Sequence, residues 1–204
     1  MKPSRIPALL AVSLLALAGS ARSASPNPER EFEKAKEAYL KNDYAKAEKY
    51  LRALTQSSPD FVIGHLYLGH SLFYQAKYRE AVPEYERARE LGLKNGQMKQ
   101  TEERILNDQL GMAYGLSGRL DQTKAHFEAA IKKDPEYPMY YYNLACAQAE
   151  MGDLEPALSS LKEGFARKDH VLPGEAYPNP RTDDSFKKYL GNGKFEAALR
   201  EMGY

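Results

Sequence analysis

Between positions 62 and 94 the chain reads VIGHLYLGHSLFYQAKYREAVPEYERARELGLK. Its apolar and small residues include Leu68-Gly69, then Ala81, Tyr85 and Ala88 at steps of four and three, with a break at Gln75-Ala76-Lys77 and Tyr78 just after it. Such spacing predicts two amphipathic helices. The short polar break predicts that they fold back on each other. Small residues stand where the two backbones must approach.

The same arrangement recurs. Ala81 falls 34 residues after Ala47, and Ala157 falls 34 after Thr123. In this register one copy holds Ala35, Tyr44, Ala47, Leu51, Leu54 and Pro59, and another Leu110-Gly111, Tyr114, Leu120, Thr123, Phe127, Ala130 and Pro135. The last holds Leu144-Ala145, Leu154, Ala157, Leu161 and Gly164. From Ala81 to Thr123 the step is 42, so eight residues are added, within Lys94–Glu103 and around the turn signal Asn95-Gly96. A fixed period of this size signals stacked units that bury a shared core. Helices are expected at 28–41 and 44–56, 61–75 and 78–91, 101–117 and 120–132, and 138–151 and 154–166. Pro28 and Pro156 suit first turns, and Pro83 does so only if its helix starts after Tyr78.

These residues resemble the tetratricopeptide repeat family over about Pro28 to Phe165. The resemblance implies an all-α, right-handed α-solenoid of about four hairpins, with repeats near 28–61, 62–95, 104–137 and 138–166. It gives Ala47, Gly69, Ala81, Ala88, Gly111, Ala130 and Ala157 the packing between paired helices. The chain departs from the family in having no Trp, in Lys34-Ala35 where Leu-Gly is usual, and in Thr123 for a small Ala. His65 and Tyr141 take the bulky slot. Residues 167–204 break the period with Pro173, Gly174, Pro178 and Pro180, then offer Asp183-Asp184-Ser185-Phe186 and a last helix at 195–202. This stretch resembles the terminal module that closes many bacterial members of the family, and is expected to be a helical cap.

Residues 1–23 hold Lys2, Arg5 and Arg22, no acid, and the apolar run Ala8–Ala18 followed by small residues. That pattern predicts a secretory signal, with 24–27 as a flexible tail of the mature chain. The expected location is the periplasm, the alternatives being secretion or anchoring by an uncleaved signal. The rest of the chain holds 26 basic and 28 acidic residues, a balance that offers no general attraction to nucleic acid or anionic lipid. Cys146 is the single cysteine, so no internal disulfide is available.

Candidate chemistry is sparse. His65 and His70 are five apart, not the four that would place both on one helix face for a metal. His65 reads as core, and His126 and His170 as surface residues. Asp183-Asp184 reads as a helix start. No phosphate loop, nucleophile elbow or zinc spacing is present. No catalytic residue, metal or cofactor is expected.

In the family, the first helix of each hairpin lines a concave face. Carried over to this chain, that face shows Phe32, Lys36 and Tyr39; Ile63, Leu66, His70 and Phe73; Ile105, Asp108, Met112 and Gly115; and Met139, Tyr142, Cys146 and Ala149. Phe32, Lys36, Tyr39, Leu66, His70, Phe73, Asp108, Met112 and Tyr142 are the expected partner-binding residues. Family members that grip a C-terminal carboxylate use inward Lys, Asn and Arg. Here those positions are Phe32, Lys36, Tyr67, Ile105 and Gln109, of which only Lys36 fits. The expectation is a non-enzymatic scaffold of the bacterial envelope that captures a protein or peptide in an apolar, aromatic groove. The alternative is an accessory subunit that binds a polysaccharide or its synthesis and export machinery.

Overall fold

The structure, a computed structural model, describes residues 27–96 and 98–204. The expected signal at 1–23 and residues 24–26 lie outside that range. Among the described residues every regular element is helical. Four hairpins follow one another: α1 (Pro28–Leu40) with α2 (Tyr44–Ser57), α3 (Val62–Tyr74) with α4 (Tyr78–Lys94), α5 (Gln100–Leu116) with α6 (Leu120–Lys133), and α7 (Pro138–Met151) with α8 (Leu154–Phe165). Three 3₁₀ turns, Lys168–His170, Pro180–Thr182 and Asp184–Tyr189, lead to α9 (Gly193–Glu201).

Local chemistry sets the helix ends. Pro28 and Pro138 open α1 and α7, where the missing N–H has no partner to lose. Asn27 accepts the Glu29 N–H at 3.0 Å, and Asp43 accepts the Lys46 N–H at 3.1 Å. Each hairpin turns through one left-handed residue at the equivalent position: Asn42, Ala76, Gly118 and Gly152, with φ of 59°, 58°, 84° and 95°. Gly and Asn enter this region at little cost, and Ala does not. The eight added residues lengthen the helices on both sides of the second junction, so α4 and α5 run to 17 residues each. Pro83 lies inside α4, which begins at Tyr78 itself, so this proline stands deeper than the first turn and faces solvent.

The first helices pack in succession, α1 with α3, α3 with α5 and α5 with α7, more closely than α2 with α4 or α4 with α6. The first helices therefore form the inner layer of a curved stack. Between repeats the outer sides are pinned by charge. Arg52 reaches Glu80 at 2.6 Å and Lys77 reaches Glu48 at 2.8 Å. Within the third hairpin, Arg104 holds Asp134 through two bonds of 2.6 and 3.0 Å. Inside the pairs, Ala47, Ala81, Ala88 and Ala157 have no exposed surface, and Ala130 is buried. Thr123, where the family favours Ala, is equally buried because its hydroxyl donates to the Arg119 carbonyl at 3.1 Å.

Candidate functional site

The inner layer divides into two unlike halves. On α1 and α3, Lys36, Tyr39, Ile63, Leu66, Tyr67, His70 and Tyr74 are all half-buried. The rings form a ladder. Phe32 meets Tyr67 edge-on at 4.9 Å, Tyr67 meets Tyr39 at 5.0 Å, Tyr39 meets Tyr44 at 5.5 Å, and Tyr44 stacks on Tyr74 at 4.8 Å. Edge-to-face pairs of this kind hold rings in fixed positions. Lys36 is paired with Glu33 at 3.3 Å on the same helix. His70 places Nδ1 3.0 Å from the Tyr85 hydroxyl, and desolvation lowers its pKa to about 4. It therefore presents a neutral ring.

Several residues expected in an open groove are sealed. Phe32 is 4% exposed and Phe73 2%, the latter packed against Tyr78 at 5.2 Å. Both lie where their helices meet the next ones and belong to the core. Asp108 is 7% exposed, Met112 8% and Tyr142 2%. Met139, Cys146 and Ala149, which share one side of α7 with Tyr142, are buried as well, while Ile105 and Gly115 stay half-buried.

At α7 the cause is the chain beyond α8. This strap and the short elements after it lie across the α7 side that carries Tyr142 and Cys146. The Tyr142 hydroxyl donates to Asp183 at 3.2 Å, and its ring meets Tyr177 and Phe186 at 5.5 and 6.1 Å. The Tyr189 hydroxyl donates to the Ala149 carbonyl at 3.2 Å. Further along, Glu175 reaches Tyr137, whose hydroxyl also meets Asp108 of α5. Phe186, Phe195 and Leu199 join Tyr142, Cys146, Leu158 and Leu161 in one apolar cluster. The inner surface is open at α1 and α3 and closed at α7.

Sequence reasoning missed Tyr44 and Tyr74 as parts of the open half and Glu175 and Asp183 as the carboxylates that close the other. Tyr67 and Tyr74 are seven apart on α3, a spacing that puts them on one face. For Glu175 and Asp183 no local signal exists, because their partners lie far away in sequence. His126, expected at the surface, is half-buried between Tyr114 and Phe127, with Nε2 2.8 Å from the Asn107 carbonyl. Burial lowers its pKa to about 4. His65 is buried and bound on both nitrogens, to Glu84 at 2.7 Å and the Pro59 carbonyl at 3.0 Å.

The Cys146 thiol is buried, and burial, then the Asp183 charge, pushes its pKa well up. A protonated, enclosed thiol is a poor nucleophile. Among the described residues no group of three or more His, Cys, Asp or Glu is placed to hold a metal ion, and no helix is long and apolar enough to cross a membrane.

Comparison with known proteins places this geometry. The family profile "Tetratricopeptide repeat" matches residues 126–158. A MamA structure superposes over 85% of this chain and 86% of its own, with a TM-score of 0.64 at 18% identity. MamA from Desulfovibrio magneticus RS-1, residues 41 to the end, covers 70% and 76% with a TM-score of 0.60 at 17% identity. YrrB, described as a TPR protein with an unusual peptide-binding site, covers 86% and 82% with a TM-score of 0.59 at 15% identity. At these identities the likeness is one of fold. No curated protein sequence matches the chain.

Proposed function

We propose, for a chain that belongs to the tetratricopeptide-repeat family, a role as a non-enzymatic scaffold or adaptor that takes a protein or peptide partner on the α1–α3 part of its inner layer. The observation that carries this reading is the half-buried row of Tyr39, Ile63, Leu66, Tyr67, His70 and Tyr74 on those two helices. Aromatic and aliphatic side chains held rigidly, with part of their surface wet, are the kind of anchor that protein interfaces use. The fold shared with YrrB, a protein with a peptide-binding site, supports the same use here. Lys36 is the one cation in the row, and its pairing with Glu33 leaves the surface near neutral. An apolar segment of a partner fits it better than a carboxylate terminus.

The place of action we propose is the periplasm, on the strength of the basic start and the apolar run Ala8–Ala18. Beyond residue 23 the chain carries no excess of positive charge with which to hold nucleic acid.

The test is affinity capture from an envelope extract with the full chain and with Leu66→Glu and Tyr39→Ser. Captured proteins that disappear with both variants, while circular dichroism is unchanged, are the expected result. A partner retained by both would move the binding surface elsewhere, and a polysaccharide in place of protein in the eluate would select the other ligand class.

A further inference from the structure

The strap between α8 and the Asp184–Tyr189 turn carries a carboxylate into a site that already holds one. Both oxygens of Glu175 lie close to the Tyr137 hydroxyl, at 3.1 and 3.0 Å, and one also accepts the Leu172 backbone N–H at 3.0 Å. The same hydroxyl is 3.2 Å from Oδ2 of Asp108 on α5. The other oxygen of Asp108 accepts from Asn143 of α7 at 3.0 Å. A phenol has one proton to give, so it cannot donate to two carboxylates at once. The set closes when one of the two carboxyls carries a proton: with that proton on the enclosed Asp108, its O–H donates to the Tyr137 oxygen, and the Tyr137 O–H donates to Glu175. Burial, then the Glu175 charge, raises the Asp108 carboxyl to about 8, which fits that state.

Among the described residues, the cation nearest this set is already paired. Arg104, one turn earlier on α5, lies 4.8 Å over the Tyr137 ring but is bound to Asp134 from the α6–α7 turn. In the same turn Glu136 pairs with His170 at 3.0 Å. From α6, His126 bonds the Asn107 carbonyl, and from α4 the Tyr85 hydroxyl meets His70 and Gln109.

We infer that Asp108, Tyr137 and Glu175 form a proton-dependent latch that holds the strap over the α5–α7 part of the inner layer. When Asp108 loses its proton to solvent, two carboxylates compete for one O–H. Glu175, which sits on a half-exposed loop, is the one released. Opening uncovers the Tyr137 and Asp108 surface and extends the open half toward α7. Only this last consequence rests on the proposed function; the latch itself needs no partner.

Hydrogen exchange of the full chain between pH 6 and 9.5 tests it, read at the Leu172 amide after correction for chemical exchange. The expected protection falls by up to tenfold per unit as pH rises toward about 8, where Asp108 titrates in the closed latch, and is level above it. Asp108→Asn keeps a donor to Tyr137 at every pH and holds protection level throughout. Glu175→Gln lets the phenol donate to ionised Asp108 while the new amide donates to the phenol oxygen, so the fall disappears there too. Should one variant fail to fold, the other decides. Level protection in the unmodified chain, or an undiminished fall in the folded variants, overturns the latch. Loss of partner capture at α1 and α3 leaves this readout unchanged, so the two ideas fail separately.

Discussion

Gly69 on α3 faces the ring of Tyr85 on α4 so closely that a Cβ at position 69 would stand 2.7 Å from two ring carbons. Gly111 on α5 faces Phe127 on α6 in the same way. Helix propensity favours Gly69→Ala by about 1 kcal/mol. Overpacking against a buried ring costs about 1–3 kcal/mol, and here the ring has no free space to enter, because Tyr85 is fully buried and its hydroxyl meets His70. The expected net effect is destabilisation by about 1 kcal/mol, measured by urea unfolding. Tyr85→Leu in the same chain should remove the added penalty of Gly69→Ala.

The turn between α3 and α4 supplies the opposite case. Ala76 holds φ at 58°, where its equivalents in two later hairpins are glycines. Left-handed backbone costs an L-residue about 1–2 kcal/mol, and part of that gain is returned because glycine has more freedom to lose when the chain folds. Ala76→Gly is expected to raise stability by roughly 0.5–1 kcal/mol, visible as a higher melting temperature with no change in partner capture.

Acid should weaken the array in two stages. His70 and His126 have pKa values depressed by burial to about 4. The unfolded chain takes up their protons first, so stability declines as pH falls from about 6.5 to 4. Glu48 follows. Burial raises its carboxyl, but Lys77, Arg52 and Gln75 together outweigh that and bring it to about 2. Its contribution is present above the ordinary Glu range and is lost as pH falls through about 2. A melting-temperature profile should show both declines, and Glu48→Gln should remove only the lower one.

Tyr142→Phe deletes the hydroxyl that donates to Asp183 and leaves the ring in place. A loss of about 1 kcal/mol is expected. Asp183 keeps its bond to the Ser185 N–H at 2.9 Å. The effect should appear as faster hydrogen exchange in residues 183–189, with capture at α1 and α3 unchanged. A drop in capture would return Tyr142 to the binding surface.

Cys146 should resist thiol reagents in the folded chain and react once urea unfolds it. Its side chain is buried between Tyr142 and the segment around Asp183, and its thiol is held protonated. Rapid modification under native conditions would show that the cap opens on its own.

The period of 34 and the paired small residues made the hairpins readable, because nearby residues dictate helix, turn and close approach in each unit. Even the eight-residue addition was locatable, although its division between α4 and α5 was not. The binding face was only half legible. Helical spacing tells which side of α7 Met139, Tyr142, Cys146 and Ala149 share. It does not tell that Glu175, Tyr177, Asp183 and Phe186 arrive there from the far end of the chain. Phe32 and Phe73 were misplaced for a related reason: a stripe facing inward and a stripe facing the neighbouring helix differ by little rotation, and packing between hairpins decides which is wet.

With Tyr177 and Phe186 against α7, and α9 against α8, the flank on which another hairpin would stack is already taken. The α1–α2 flank bears no such covering among the described residues. Among the described residues the curved stack is thus covered at one end and bare at the other. A partner of the kind proposed, lying along α1 and α3, would meet the tail before it reached α7.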